Sequence, residues 1–412
     1  MKKKLNIGLF GFGCVGSGLY EVLNQSKLLD ATISKIVVKD KFKKRTLPLA
    51  HFSFDKNDIL NDSAINLVVE LIDDAEAAYE IVTTAIRKGK HVVSANKKMI
   101  AQHLAELIDL KNQYKVSFLY EASVCGSIPV IRNLEEYYNN DTLRLVQGIC
   151  NGTTNYILTR LDKEAKSFDE ILKDAQDAGF AESDPTSDID GFDSKYKLQI
   201  LILHAFGIIT TPNDILNLGI RNIKENDIQF AKEKNLKIKL ISKAVKVNQN
   251  VIGYVLPQFV DENSFAFDVI NEFNAVSIEA LFSDQQLFKG KGAGSFPTAS
   301  AVLSDISALQ FDYGYEYHKK KNNALKLQNE SELRVFISSS DIKKLEQLQF
   351  ISIEESFQSS NYSYKIGVIN SNELTYDLYR NNPELFIATI GDQQHFEAKK
   401  KEVVEFNKEL AL

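Results

Sequence analysis

The run Leu5-Asn6-Ile7-Gly8-Leu9-Phe10, followed at once by Gly11-Phe12-Gly13-Cys14-Val15-Gly16, constrains this chain more than any other segment. It predicts a buried strand over residues 4–10, a glycine turn and a helix from Val15 to Leu23, the order a dinucleotide-binding crossover requires. Gly11 permits the tight turn, Gly13 lets backbone approach a pyrophosphate, and Gly16 allows the helix to pack closely on the strand. The helix N-terminus around Cys14 and Val15 attracts the negative charge. A plain glycine-rich turn is the bland alternative, and the flanking strand and helix weigh against it. A second strand, Ile33 to Val38, ends where a ribose-reading residue belongs. Lys39 there suits the 2′-phosphate of NADP, and Asp40 suits the 2′-hydroxyl of NAD. The nearby Lys43, Lys44 and Arg45 tilt the reading towards NADP, with a solvated turn as the alternative.

Alternation continues with strand Leu67 to Ile72, helix Ala75 to Lys88, strand His91 to Ser94, helix Ile100 to Asn112 and strand Val116 to Tyr120. Such alternation predicts an α/β fold with a parallel sheet, whose ligands bind beyond the carboxyl ends of the strands. Three strand ends therefore matter. After the fourth strand stands Ser94-Ala95-Asn96-Lys97-Lys98, with two lysines placed to meet a carboxylate. After the fifth stands Glu121-Ala122-Ser123-Val124-Cys125-Gly126-Ser127-Ile128-Pro129, a tight turn in which Glu121 can cap the next helix. After strand Leu143 to Cys150 stands Asn151-Gly152-Thr153-Thr154-Asn155, where Thr153 and Thr154 serve either as helix caps or as pocket lining.

At 412 residues the chain is long enough for several domains. Its net charge of −6 argues against a nucleic-acid partner held through phosphates. Cys14, Cys125 and Cys150 form no CxxC pair and read as reduced packing residues. Apolar runs such as Leu198 to Ile209 fall short of the ~20 residues a membrane span needs, so the expectation is a cytoplasmic protein without a membrane partner.

The chemistry concentrates in residues 179–197, where Gly179-Phe180-Ala181-Glu182-Ser183-Asp184-Pro185-Thr186-Ser187-Asp188 leads through Gly191 and Asp193 to Lys197. Asp193 and Lys197, spaced i and i+4 at a helix start, share one face. Unaided, that spacing is most often a surface ion pair. This stretch resembles the homoserine dehydrogenase signature, with Ser183 and Ser187 departing from the residues common there. The resemblance implies that Glu182 and Asp193 hold an amino-acid substrate, that Asp188 supports the site, and that Lys197 transfers the proton. We expect burial to lower the Lys197 pKa so that it serves as a base. The Asn96-Lys97-Lys98 segment matches the family too, which implies Asn96 and Lys97 beside cofactor and substrate. The loop from Glu121 to Pro129 also matches, with Ser127 in place of a glycine. It implies a monovalent cation, Na or K, held through Glu121, Val124, Gly126 and Ile128.

Residues 130–291 then read as an α+β substrate-binding and dimerisation domain, with strands at Lys237 to Val247 and Val251 to Leu256. The resemblance implies a homodimer paired through this sheet. The turn Gly290-Lys291-Gly292-Ala293-Gly294 resembles the family loop that returns the chain to the cofactor domain, so residues 292–315 would complete residues 1–129. A polar linker is expected over His318 to Asn323. Residues 330–412 follow as a separate small domain in βαββαβ order, ferredoxin-like and similar to ACT-type regulatory domains. Ser339-Ser340-Asp341 replaces the glycine turn usual there, and a regulatory and a structural or pairing role stand level. The whole implies an NAD(P)-dependent homoserine dehydrogenase. The alternatives are a related amino acid dehydrogenase or a catalytically silent NAD(P)-binding sensor.

Overall fold

The computed structural model describes residues 3–140, 142–321, 324–328 and 330–391. The expectations for Met1-Lys2, Asn322-Asn323 and the last stretch of the 330–412 segment lie outside the described residues.

The first layer follows directly from apolar runs that are buried on both faces. Strand β1 (Leu5–Phe10) leads into α1 (Cys14–Gln25), β2 (Ala31–Val37), a two-residue β3 (Phe52–Ser53) and a short α2 (Asn57–Leu60). Next come β4 (Leu67–Glu70), α3 (Ala75–Arg87), β5 (His91–Ser94), α4 (Lys97–Tyr114) and β6 (Phe118–Leu119). All adjacent pairs are parallel, in the order β3-β2-β1-β4-β5-β6. Leu5, Ile7 and Leu9 have no exposed surface, as expected of a parallel strand covered on both sides. The order reverses beside β1, which places a ligand crevice over the Gly11–Gly16 turn. Polar caps start the helices. Asp74 accepts from Ala77 N to open α3, and Asn96 accepts from Met99 N to open α4.

The second layer is a mixed sheet. It begins after α5 (Val130–Glu135) with β7 (Leu143–Ile149), followed by α6 (Gly152–Lys163), α7 (Phe168–Asp177), α8 (Thr186–Ile189) and α9 (Phe192–Phe206). Then come β8 (Leu216–Asn217), α10 (Glu225–Glu233), β9 (Lys237–Val247), β10 (Asn250–Val260), β11 (Phe273–Ala280) and β12 (Asp284–Lys291). Helix α9 runs through the interior, buried almost all round, between left-handed glycines at Gly191 and Gly207. Helix α11 (Ser295–Leu309) returns to the first layer and packs on α1, where Gly18 leaves room for Ser295.

The C-terminal segment comprises α12 (His318–Lys321), β13 (Lys326–Leu327), β14 (Glu332–Ser339), α13 (Ile342–Glu346), β15 (Phe350–Gln358), β16 (Ser363–Asn370), α14 (Tyr376–Asn381) and β17 (Leu385–Ile390). From β14 to β17 this is the expected βαββαβ order, with strands arranged β17-β14-β16-β15 and every neighbour antiparallel.

Three expectations change. The four terminal strands do not form a sheet of their own, because β17 pairs in parallel with β10 at Gln258↔Thr389 and Phe259↔Ile390, producing one 11-stranded sheet. The edge of β10 is shared in succession by β13, β8 and β17, so its backbone groups find partners along its length. The expected linker is anchored where it is described. Lys319 Nζ donates to the carbonyl oxygens of Leu134 and His204, and burial lowers its pKa to about 8. Strands β3, β11 and β12 were not foreseen.

Polar stitches join the C-terminal unit to the α9 entry. Arg221 donates through Nε and Nη2 to the two oxygens of the fully buried Asp190, at 2.7 and 3.0 Å. The Tyr376 hydroxyl donates to the same carboxylate, and the Arg221 amide donates to Tyr379 Oη. Arg221→Met leaves Asp190 buried with its cation removed, so we expect a loss of about 3–5 kcal/mol in unfolding free energy. Urea titration checks this, and a loss below ~1 kcal/mol would refute it.

Glu70, at the carboxyl end of β4, is fully buried and accepts from Ile72 N and the Ser94 hydroxyl. Burial raises its pKa from 4.5 to about 7. With the folded pKa above the unfolded one, its contribution is complete below about pH 4.5 and is lost as pH rises through about 7. Glu70→Gln keeps the shape and can donate to Ser94, so its stability should fall by up to about 3 kcal/mol less than wild type between pH 4.5 and 7.5. Denaturant midpoints across that range provide the measurement; parallel curves for the two proteins would contradict it.

Candidate active site

A cleft of about 620 Å³ lies between the carboxyl edge of the parallel sheet and the N-terminus of α9. Gly191, at φ +82°, turns the chain so that α9 starts with Asp193 facing inward. Asp193 is buried and held on both oxygens. Its Oδ2 accepts from Lys197 Nζ at 2.6 Å, and its Oδ1 lies 3.0 Å from Lys97 Nζ. Lys197 also donates to the Cys150 carbonyl at 2.6 Å. Lys97 comes from the other layer, at the first residue of α4, and remains partly open to the cleft.

Asn151 completes the arrangement. Its Oδ1 caps α6 by accepting from Thr154 N, and its Nδ2 donates to both Asp188 Oδ1 at 2.6 Å and Asp193 Oδ2 at 2.9 Å. Sequence reasoning quoted Asn151 in its motif without assigning it a role; a cap position directly after a strand was the available signal. Asn151 therefore caps α6 in place of the threonines. Thr153 lines the cleft while donating to the Phe180 carbonyl, and Thr154 is buried. The Phe180 ring stacks on Tyr156, which fixes the acidic stretch against α6. Glu182 lines the same cleft.

The charges settle differently from the expectation for Lys197. Burial disfavours its ammonium, yet the Asp193 carboxylate beside it outweighs burial and holds the pKa above the ordinary lysine value. Burial likewise opposes ionisation of Asp193, and Lys197 and Lys97 together push its pKa well below the usual carboxylate range. Asp188 shifts upward, through burial and the neighbouring Asp193 charge. The resting arrangement is thus an ionised Asp193 between two ammonium groups.

At the other end of the cleft lie Cys14 and Val15, opposite Gly292 and Gly294. A Cβ on Gly11, at φ +93°, would stand 2.4 Å from the Leu71 carbonyl oxygen, and one on Gly16 would stand 2.4 Å from the Gly11 oxygen. A Cβ on Gly13 would meet no protein atom within 4 Å. Gly13 is therefore not required by packing within the chain. It leaves the amides at the start of α1 open, with no side chain capping them, an arrangement that fits a pyrophosphate. Gly292 has a packing reason, since a Cβ there would strike the Asn274 side chain.

Other expected residues stand elsewhere. Asn96 is a buried cap that also donates to the Ile72 carbonyl, while Lys97 beside it lines the cleft. Lys39 is exposed after β2, outside the lining of the cleft. The neighbouring Asp40 accepts from Phe42 N and Lys43 N and so shapes its own turn. The Glu121 carboxylate accepts from Ile131 N and Arg132 N, both at 2.9 Å, which is the helix-capping alternative. Burial lifts its pKa to about 8. Among the described residues no group of three or more His, Cys, Asp and Glu side chains converges as a metal site, and no helix is long and apolar enough to cross a membrane.

Comparison with known proteins agrees with this geometry. Residues 11–121 match the family model described as homoserine dehydrogenase, NAD binding domain, and residues 129–307 match the one described as homoserine dehydrogenase. A homoserine dehydrogenase of Bacillus subtilis is 38% identical over 316 residues, covering 74% of this chain and 73% of the relative. One from Helicobacter pylori is 40% identical over 313 residues, covering 74% of each. The crystal structure of a homoserine dehydrogenase from Thiobacillus denitrificans superposes with a TM-score of 0.81 at 27% identity, covering 95% of this chain and all of that one. The chain belongs to the homoserine dehydrogenase family.

Proposed function

We propose that the Asp193–Lys197 pair is the proton-transfer centre of the reaction and that Lys97, Glu182 and Asp188 join Asp193 in holding the substrate. The protein is an NAD(P)-dependent oxidoreductase that interconverts L-homoserine and L-aspartate 4-semialdehyde. The observation that carries the residue assignment is the Lys197 ammonium at the cleft, 2.6 Å from Asp193 and 2.6 Å from the Cys150 carbonyl. A nicotinamide coenzyme held over Gly11 to Gly16 would supply or accept the hydride at the carbon bearing oxygen. In the reducing direction Lys197 donates its proton to the aldehyde oxygen and becomes a neutral amine, and the Lys97 ammonium 3.0 Å from Asp193 then balances that carboxylate. In the oxidising direction the same nitrogen takes up the hydroxyl proton once it has lost its own. Lys97, partly open to the cleft, meets the substrate carboxylate, and Glu182 meets its ammonium.

The open backbone at Gly13 and the first amides of α1 support coenzyme binding over Gly11 to Gly16, with Cys14 and Val15 beneath it and Gly292 opposite. The preference for NADP rests on Lys39 with Lys43, Lys44 and Arg45. The division into a coenzyme unit (1–129 with 292–315), a substrate and pairing unit (130–291) and a C-terminal unit (330–412) is supported by the packing of α11 on α1. Homodimerisation through the middle sheet belongs to the same reading, as does a cytoplasmic address. The exposed Leu287 on edge strand β12, with Phe282 beside it, supports the pairing. For the monovalent cation the same reading keeps Glu121 with the backbone oxygens of Val124, Gly126 and Ile128 as ligands.

Purified protein with L-homoserine should produce NADPH or NADH, tried separately, with serine and threonine as inert controls. Lys197→Met should lower kcat by about 10²- to 10⁴-fold while coenzyme affinity stays within about threefold. Unchanged turnover would remove Lys197 from proton transfer. Coenzyme binding without turnover in the wild type would favour a silent sensor instead.

A further inference from the structure

Away from the cleft, one buried lysine stands apart from the others. Lys90, Lys111, Lys239 and Lys319 each donate to carbonyl oxygens, and Lys197 to a carbonyl and a carboxylate. Lys195 is 7% exposed, and its Nζ makes no hydrogen bond or ion pair with the described residues. Its Nζ lies 4.8 Å from the centre of the Phe192 ring, a contact that softens the loss of water without replacing it. Burial lowers its pKa to about 8. What contact with solvent its Nζ keeps is through the cavity it lines, and an acceptor there would offset the burial of the ammonium.

The acceptor has a place to sit. Lys195 lines a cavity of about 400 Å³ between the first turn of α9, the chain entering β8, and the C-terminal unit around α14. Asn213 and Asn372, both exposed, line its rim, Asp214 lines it with a carboxylate that accepts from the Thr211 amide and hydroxyl, and Ile215 and Leu374 contribute apolar wall. Tyr376 closes one side, packing edge-on against Phe192 at 5.0 Å.

We propose that this cavity binds a small carboxylate, with Lys195 Nζ as its counter-ion and the Asn213 and Asn372 amides as further donors. One ammonium with two neutral amides, beside an Asp214 carboxylate already held by Thr211, suits a monoanion better than a phosphate dianion, which calls for several cationic donors. The apolar wall suits a ligand carrying a short carbon chain. The carboxylate would touch α9 between Asp193 and Lys197 on one side and the C-terminal unit on the other. Its binding would therefore bridge the helix of the reaction centre and the terminal sheet.

The test is calorimetric unfolding of the full chain with propionate or inorganic phosphate, each against chloride at matched ionic strength. Saturating propionate should raise the wild-type Tm by about 2–4 °C, and phosphate should not. Lys195→Met should abolish the rise, and Asn372→Leu should roughly halve it. Lys97→Met should keep it, which separates this cavity from the substrate cleft. An equal rise in Lys195→Met, loss of the rise in Lys97→Met, a response to phosphate alone, or no response in the wild type would each overturn the proposal. Should Lys195→Met fail to fold, an undiminished rise in Asn372→Leu would overturn it as well.

Discussion

The buried Asp193 carboxylate is the constraint on which the rest of this site depends. A charge with no water around it must be met by cations and donors at close range. Here they come from three separate parts of the chain. Lys197 lies one turn along α9, Lys97 opens α4 in the coenzyme layer, and Asn151 caps α6 at the end of β7. Satisfying one carboxylate thus fixes how the parallel sheet, the mixed sheet and the central helix meet. Coenzyme and substrate must share a face to react, and the Lys97–Asp193 contact that joins the two layers is made at the proposed proton-transfer centre.

The same logic extends to the periphery. Asp190, three residues before Asp193, is fully buried and is met by Arg221 and by Tyr376 from the C-terminal unit. The two carboxylates sit on either side of Gly191, whose left-handed backbone lets them diverge. One faces the cleft and the other the terminal sheet. The pairing of β17 with β10 makes that terminal sheet a continuation of the middle one. The C-terminal unit is consequently joined to β10 by backbone pairing and to the entry of α9 by the hydrogen bond of Tyr376 to Asp190, rather than held on a tether.

What was legible in the sequence follows from the range of the interaction concerned. The β1–α1 unit could be read because a doubly buried strand must be apolar throughout and a tight turn needs glycine at Gly11; both are local. The βαββαβ order of the tail was legible from its own periodicity. The fusion of its sheet with β10 was not, since pairing Gln258 with Thr389 joins residues far apart in sequence. Strand β12 escaped notice because its half-exposed pattern, Asp284-Gln285-Gln286-Leu287, lacks the β-branched residues that mark strands. The Asp193–Lys197 spacing pointed to the site, but not to its protonation. Burial alone predicts a lowered lysine pKa, and only the carboxylate at 2.6 Å reverses the sign.

That reversal bears on which direction of the reaction the resting site is prepared for. In the role proposed for it, a proton-bearing Lys197 stands ready to donate to an aldehyde oxygen, whereas alcohol oxidation requires that the proton leave first. Departure of that proton leaves neutral Lys197 beside ionised Asp193, and the Lys97 ammonium on Oδ1 then bears the compensation alone. Under the proposed assignment, a substrate carboxylate drawn to Lys97 would compete for the same cation and strengthen the hold of Asp193 on the Lys197 proton. Substrate binding and proton transfer would then be linked through the two oxygens of one carboxylate, with the timing of proton loss set by how firmly Lys97 is engaged by its ligand.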